Sequence, residues 1–113
     1  MPQLTEYRFG HLVVDGREHD RDVIVLPERV VGAWWRVDGH SLCLDDLADV
    51  LDDLPPHLVV GTGSDGRMQP EAEVLEQLRA RGIDVEVLRT PEAVRRYGEL
   101  DPATTAAALH LTC

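Results

Sequence analysis

The sequence predicts an α/β fold: a three-layer sandwich with a central mixed, largely parallel sheet, helices on both faces and an N-terminal β-hairpin extension. Three observations predict it. The first third of the chain alternates apolar and polar residues as strands do. The remainder then changes to a helical period of about 3.6 residues in three segments. Short apolar runs lie between those segments, and this order is typical of parallel strands joined by right-handed crossovers.

The N-terminal third is expected to contain a tight hairpin. Strands over Tyr7–Phe9 and His11–Val14 lead into Asp15-Gly16, a pair of residues that tolerates positive φ and suits a two-residue turn. A further apolar strand is expected over Val23–Leu26. We expect the hairpin to form an N-terminal β extension.

A tryptophan pair lies in the next predicted strand, which covers residues 29–37 and bends at Gly32. Strand geometry would place Trp34 and Trp35 on opposite faces, with one ring in the core. The other ring and Arg36 have a composition that is common at the centres of protein interfaces. Trp34, Trp35 and Arg36 are therefore the candidate partner-binding residues, with plain burial as the alternative.

Three amphipathic helices and three strands complete the chain. The helices are expected over residues 41–54, 70–81 and 90–100, and the strands over residues 58–60, 83–88 and 106–111. Ser41 and Thr90 suit the N-cap position of their helices. Acids of the first helix are interpreted as a solvent-facing surface rather than a cation site; they are Asp45, Asp46, Asp49, Asp52 and Asp53.

Chain length and charge restrict the function. The 113 residues suit a single domain spanning residues 1–113, and 43% hydrophobic residues suffice for a core. A net charge of −10 repels phosphate backbones and anionic lipids, which disfavours nucleic acid and membrane partners. The first residues lack the pattern of a signal peptide, and no apolar run is long enough to cross a bilayer. With Cys43 and Cys113 expected as free thiols, we predict a cytoplasmic protein.

Several motifs, taken in chain order, resemble the Mth-type domain family. They are Asp22–Pro27, Trp34–Arg36, Gly39-His40 with Asp45, Gly61–Gly63 with Gly66-Arg67, Thr90–Ala93 and Ala107–Cys113. Each motif is weak alone, but their order and spacing cover nearly the whole chain. The resemblance implies a three-layer α/β fold with a mixed sheet. It implies no reaction and no catalytic residues, and the assembly and regulatory roles of the eukaryotic members favour a binding function.

A glycine-rich loop follows the predicted strand 58–60. Its glycine spacing matches the dinucleotide-binding fingerprint, and Glu86 lies at the sequence spacing of a ribose-binding acid. Against this function, residues 67–70 separate the third glycine from the helix. The alternatives are a smaller anion held by backbone amides and Arg67, or a structural turn in which Arg67 pairs with a nearby acid. The candidate ligand-binding residues are Gly61, Thr62, Gly63, Ser64, Gly66 and Arg67.

Metal and catalytic sites are not favoured. His40 with Cys43 and His110 with Cys113 repeat a spacing that zinc ligands use, but a terminal strand would point His110 and Cys113 to opposite sides. Cys43 or Ser64 could act as a nucleophile with one of these histidines as base, yet nothing in the sequence brings such a pair together. We predict no cofactor and no metal.

The sequence favours a non-enzymatic protein-interaction or assembly module. The alternative is a small-anion or metabolite-binding protein, or an enzyme, that uses the Gly61–Arg67 loop. The expected partner is an unidentified protein, or a small anion in the alternative, and the expected state is a monomer or a weak homo-oligomer. A concave pocket at the carboxyl edge of the sheet would favour the alternative, and a flat apolar patch would favour the module.

Overall fold

The computed structural model describes residues 2–113. Its strands are β1 (Leu4–Arg8), β2 (His11–Val14), β3 (Arg17–His19), β4 (Val23–Val25), β5 (Val30–Val31), β6 (Ser41–Leu42), β7 (His57–Gly61), β8 (Gln69–Pro70), β9 (Asp84–Leu88) and β10 (Thr105–Leu109). The helices are α1 (Ala72–Ala80) and α2 (Thr90–Gly98), and two short 3-10 segments are Leu44–Leu47 and Leu51–Asp53. Within residues 2–113, no helix is long and apolar enough to cross a membrane.

Five strands form the central sheet, in the order β5-β4-β10-β7-β9. The β10–β7 and β7–β9 pairs are parallel, whereas β4 is antiparallel to both β10 and β5. The prediction of a mixed sheet is confirmed, but the sheet is not largely parallel, because half of its pairings are antiparallel. One cause is the β4–β5 connection, where the Leu26 N–H donates to the Arg29 carbonyl at 2.8 Å. A turn this short joins antiparallel strands.

The N-terminal strands form a second sheet, β1-β2-β3, which is antiparallel throughout. As predicted, Asp15 and Gly16 make the turn between β2 and β3, with φ of 51° and 82°. Leu12 and Val14 of β2 are buried in the same apolar cluster as Val59 of β7. The N-terminal sheet therefore packs against the central sheet.

Alternate residues of the central strands face two separate apolar clusters. Leu58 and Val60 of β7 belong to one cluster, together with Leu78 of α1. Val59 belongs to the other cluster, together with Tyr97 of α2. Because successive strand residues point to opposite faces, α1 and α2 pack on opposite sides of β7.

The predicted helix over residues 41–54 is wrong. Ser41–Leu42 forms β6, which pairs in parallel with β8, and two 3-10 segments follow. Asp46 explains part of the difference, because its carboxylate accepts the Cys43 N–H and the Val37 N–H, each at 3.0 Å. Aspartates that bind nearby backbone N–H groups compete with regular helix formation.

Two other expectations differ from the structure. The strand predicted over residues 29–37 is limited to β5, because Ala33 adopts a φ of 52° and the Trp34 N–H donates to the Asp22 carbonyl at 2.7 Å. Pro70 lies in β8, and α1 begins at Ala72. The remaining predicted helices and strands are present. The strand His11–Val14 has the predicted bounds, and the others have shifted ends.

Candidate functional site

The glycine-rich loop follows β7 and encloses the C-terminal segment of the chain itself. The Ser64 N–H donates to the Thr112 carbonyl at 2.6 Å, and the Arg67 N–H donates to the backbone oxygen of Cys113 at 3.0 Å. An anion held by this loop would need such amides. Here backbone oxygens of the same chain occupy them.

Two glycines of the loop are required because neighbouring atoms lie where a side chain would be. A Cβ on Gly63, whose φ is +106°, would lie 2.4 Å from the carbonyl carbon of Cys113. A Cβ on Gly61 would lie 2.9 Å from Oγ1 of Thr90. The Thr90 hydroxyl accepts the Gly63 N–H at 2.8 Å and donates to the His110 carbonyl at 2.6 Å. We call this close-packed arrangement of residues 61–67 around residues 110–113 the glycine socket.

The other members of the predicted ligand site have different environments. Thr62 is buried, and its hydroxyl donates to the Leu88 carbonyl at 3.1 Å. Gly66 has a φ of +72° and donates its N–H to the Gly63 carbonyl at 3.2 Å. The Arg67 side chain is exposed, and no carboxylate of residues 2–113 lies within 4.0 Å of its guanidinium. Within residues 2–113, Arg67 therefore does not form the salt bridge that was considered for it.

Glu86, the acid at the spacing of a ribose ligand, is engaged by other side chains. Nε of Arg96 donates to the Glu86 carboxylate at 2.9 Å, and Nε2 of His57 lies 2.5 Å from it. The hydrogen bond from Arg96 is the main cause of a lowered pKa at Glu86, and His57 adds to it against the opposing effect of burial. Glu86 thus ties β9 to α2 and β7.

A buried ionic cluster, which sequence reasoning did not identify, adjoins the glycine socket. It consists of Asp22, Arg36 and His110. Nη1 of Arg36 donates to Oδ2 of Asp22, and Nδ1 of His110 lies 2.8 Å from the same oxygen. Nη2 of Arg36 donates to the Gly39 carbonyl at 2.9 Å and lies 3.0 Å from Nδ1 of His110. The Leu111 N–H donates to Oδ1 of Asp22 at 2.8 Å.

Opposing effects set the charge state of Asp22 in this ionic cluster. Burial raises the pKa of Asp22, but hydrogen bonds from His110, the Leu111 amide and Arg36 outweigh burial and hold that pKa below its ordinary value. The carboxylate is therefore ionised and balances Arg36, whose side chain is only 4% exposed. The Arg36 guanidinium also lies over the Trp34 ring, 5.1 Å from its centroid.

The predicted partner-binding residues fall into two environments. Trp34 is buried, with its Nε1 donating to the Asp46 carbonyl at 2.9 Å, and Arg36 is buried in the ionic cluster. Trp35 lies between them with 75% of its surface exposed, and Val37 is 68% exposed. Hydrogen bonds on both sides of Trp35 thus hold its ring out from the fold.

The four candidate metal ligands do not form one cluster, although two of them, His40 and Cys113, lie close together. Nε2 of His40 lies 3.8 Å from Sγ of Cys113, whereas the Cys43 thiol donates to Oδ2 of Asp46 at 3.3 Å. Burial and the hydrogen bond to Asp46 raise the pKa of Cys43, which keeps it a thiol. Within the described residues, no group of three His, Cys, Asp or Glu side chains is placed to hold a metal ion. Neither Cys43 nor Ser64 has a hydrogen bond to a histidine in that part of the chain.

Strand order explains why sequence reasoning missed the ionic cluster. Asp22 immediately precedes β4, and His110 immediately follows β10. These strands are antiparallel neighbours with Val23 opposite Leu109, so the flanking polar residues meet at one end of the pair. The available signal was a polar residue at the border of each of the two apolar strands. That signal becomes informative only when it is known that β4 pairs with β10.

Comparison with known proteins adds a family and a fold. The model of a family described as "Protein of unknown function (DUF498/DUF598)" matches residues 4–110. Human NADH dehydrogenase [ubiquinone] 1 alpha subcomplex assembly factor 3 is 32% identical over 111 residues, which span 94% of this chain. The chain covers 59% of the length of that human protein.

Solved structures share the fold over nearly the whole chain. A conserved hypothetical protein from Pyrococcus horikoshii matches with a TM-score of 0.86 and 27% identity, covering 98% of this chain and 99% of the other. A Bordetella pertussis protein described as a Mth938-like domain matches with a TM-score of 0.69 and 21% identity, covering 97% and 85%. The motifs of the sequence, the matched family and these shared folds agree, and the chain belongs to the DUF498/DUF598 family of Mth938-like domains.

Proposed function

We propose that this domain is a protein-interaction or assembly module whose contact surface centres on Trp35. The observation that carries the proposal is a large aromatic ring, 75% exposed, between two buried neighbours. An exposed apolar residue is common by itself. A ring on a backbone that is already fixed loses less conformational entropy on binding, and tryptophan is enriched among residues that dominate interface energies.

Contacts on both sides of Trp35 support the idea of a presented ring. The Trp34 N–H donates to the Asp22 carbonyl at 2.7 Å, and the Val37 N–H donates to Oδ1 of Asp46 at 3.0 Å. Between them, Arg36 is anchored in the ionic cluster. The segment therefore behaves as part of the scaffold. We regard that scaffold as three-layered because side chains of α1 and α2 belong to the apolar clusters on opposite faces of the central sheet.

The human relative supports the same class of function, since it is named as an assembly factor. A module of this kind requires no reaction, cofactor or metal in this domain. Such a module acts as a folded surface that brings a second protein into place.

The alternative, anion binding at the Gly61–Arg67 loop, has less support. Amides of Gly63, Ser64 and Arg67 already donate to oxygens of the chain itself. What favours the alternative is the exposed guanidinium of Arg67 alone. A thermal-shift titration with phosphate and carboxylates tests it, because a ligand of the native state raises the melting temperature. A shift that Arg67→Ala abolishes would replace the module with the anion site.

Site-directed photo-crosslinking tests the module. A benzophenone amino acid would replace Trp35 in the full chain, and a second protein would carry it at Phe9, an exposed aromatic on the β1–β2 turn that is 62% accessible. Crosslinking is carried out in the cells that make the protein. We expect discrete adducts from position 35 that position 9 does not give, and an adduct of twice the chain mass would identify a homo-oligomer. Identical adducts from both positions would contradict the proposal.

A further inference from the structure

A groove beside Trp35 combines apolar walls with acids. It has a volume of about 350 Å³, and its lining includes Val31, Trp35, Val37, Asp45, Asp46 and Asp49. The acids come from the first 3-10 segment and the turn after it, which pack next to the segment Trp34–Val37. One surface thus presents an indole ring and carboxylates together.

The three carboxylates are not equivalent. Asp46 is committed to the fold, because its oxygens accept the N–H groups of Val37 and Cys43. Asp45 and Asp49 are exposed, and neither carboxylate has an ion pair or a hydrogen-bond partner within residues 2–113. The groove therefore carries two negative charges that these residues do not neutralise.

Arg29 lies near the groove but does not neutralise the carboxylates of Asp45 and Asp49. Its Nη2 donates to the backbone carbonyl of Asp49 at 3.4 Å, but its ion pair is with the carboxylate of Asp53 at 2.9 Å. Arg36, which lies between Trp35 and Val37 in the sequence, is likewise paired with a different acid, Asp22. A partner that buried Asp45 and Asp49 without supplying positive charge would leave them unpaired, which is costly.

Resting on the proposed function, we infer that this groove binds a protein segment in which an arginine or lysine adjoins a bulky apolar residue. The cation lies between the Trp35 ring and the carboxylates of Asp45 and Asp49, and the apolar side chain covers Val31 and Val37. Cations are attracted to the faces of tryptophan rings, and carboxylates favour the same charge. The partner is recognised by charge complementarity as well as by burial of the ring.

A second copy of this chain fits the groove less well. Contacts between two identical surfaces would place Asp45 and Asp49 against themselves, which is repulsive. The net charge of −10 adds a long-range repulsion between copies. A basic segment of another protein meets neither obstacle.

Peptides of defined composition test the inference with the full-length protein. The probes are labelled peptides of alternating leucine and arginine, leucine and glutamine, or leucine and glutamate, and binding is followed by fluorescence anisotropy. We expect the arginine peptide to bind tightest, and Trp35→Ala to weaken it about tenfold. The double variant Asp45→Asn/Asp49→Asn should weaken it roughly fivefold. Raising the salt concentration to about 0.5 M should remove most of the advantage over the glutamine peptide.

Matched controls separate the groove from the net charge. The double variant Glu76→Gln/Asp84→Asn removes two exposed acids from α1 and β9, so it has the same net charge as the groove variant and should bind as the wild type does. Equal weakening by both double variants, or no binding of the arginine peptide, would overturn the inference. Equal binding of the arginine and glutamine peptides, with loss in Trp35→Ala, would overturn only the charge requirement and leave the interaction surface standing. No effect of Trp35→Ala on any peptide would count against the surface itself.

Discussion

Replacing Gly63 with alanine tests whether the glycine loop is a socket for the chain's own C-terminal segment. The new Cβ would lie 2.4 Å from the backbone carbon of Cys113, at a residue whose φ is +106°. A backbone atom cannot rotate away as a flexible side chain can, so the segment must move. That movement would break the hydrogen bonds from the Ser64 and Arg67 N–H groups.

The structure sets the size of the effect. A left-handed conformation costs an L-residue about 1–2 kcal/mol, and each lost hydrogen bond costs about 0.5–1.5 kcal/mol. We therefore expect Gly63→Ala to lower the free energy of unfolding by about 2–5 kcal/mol, a large part of the ~5–15 kcal/mol typical of a domain. Urea unfolding followed by circular dichroism measures it from the transition midpoint and slope.

Gly82→Ala provides a matched control for this experiment. Gly82 has a φ of +81°, but nothing lies within 4 Å of its Cβ position. Its substitution therefore carries the conformational strain of about 1–2 kcal/mol without the collision. If the two variants unfold at the same urea concentration, the close approach of the loop to Cys113 contributes nothing to stability and the socket is refuted.

Three further predictions concern buried polar groups. Arg36→Met should destabilise the fold by about 3–5 kcal/mol because it removes the buried cation that pairs with the partly buried Asp22 carboxylate. Arg29→Met, at an exposed pair, should cost less than about 1 kcal/mol in the same urea titration. The pKa of Asp22 is lowered in the fold, so the stabilisation from its carboxylate is present above the unfolded-state pKa and is lost as the pH falls through the folded-state pKa. Asp22→Asn should therefore reduce the fall of the melting temperature at acid pH. An unchanged fall would contradict this prediction. Burial, with a smaller effect of a nearby acid, raises the pKa of Tyr97 to about 12, and the Tyr97 hydroxyl has no hydrogen-bond partner within residues 2–113. Tyr97→Phe should therefore change the free energy of unfolding by less than about 1 kcal/mol in either direction. A larger loss would show that the hydroxyl is hydrogen-bonded in solution.

Local sequence patterns predicted those parts of the fold that depend on local chemistry. The turn at Asp15-Gly16 follows from the tolerance of these residues for positive φ. The strands and helices of the β7–α1–β9–α2–β10 passage follow from periodicity and helix-ending glycine. Their positions were predicted because the deciding interactions lie within a few residues of one another.

Predictions failed where distant residues decide the structure. The stretch after Ser41 has a helical apolar period, but parallel pairing of β6 with β8 and the carboxylate of Asp46 replace the regular helix. Trp34 leaves the strand because its N–H binds the carbonyl of Asp22. The ionic cluster joins residues 88 positions apart, and nothing in the local pattern of either residue specifies the other.

The glycine socket shows that one glycine pattern suits more than one kind of acceptor. Glycines in a phosphate-binding loop let backbone amides approach an oxygen-bearing group closely. The same requirement holds when the oxygens are the backbone oxygens of Thr112 and Cys113, which accept N–H groups of this loop. The glycine pattern therefore indicates that the backbone approaches an acceptor closely, and only the fold identifies that acceptor. In this domain the loop amides stabilise the C-terminal segment beside the ionic cluster, and the cluster in turn anchors Arg36, the residue that follows the exposed ring of Trp35.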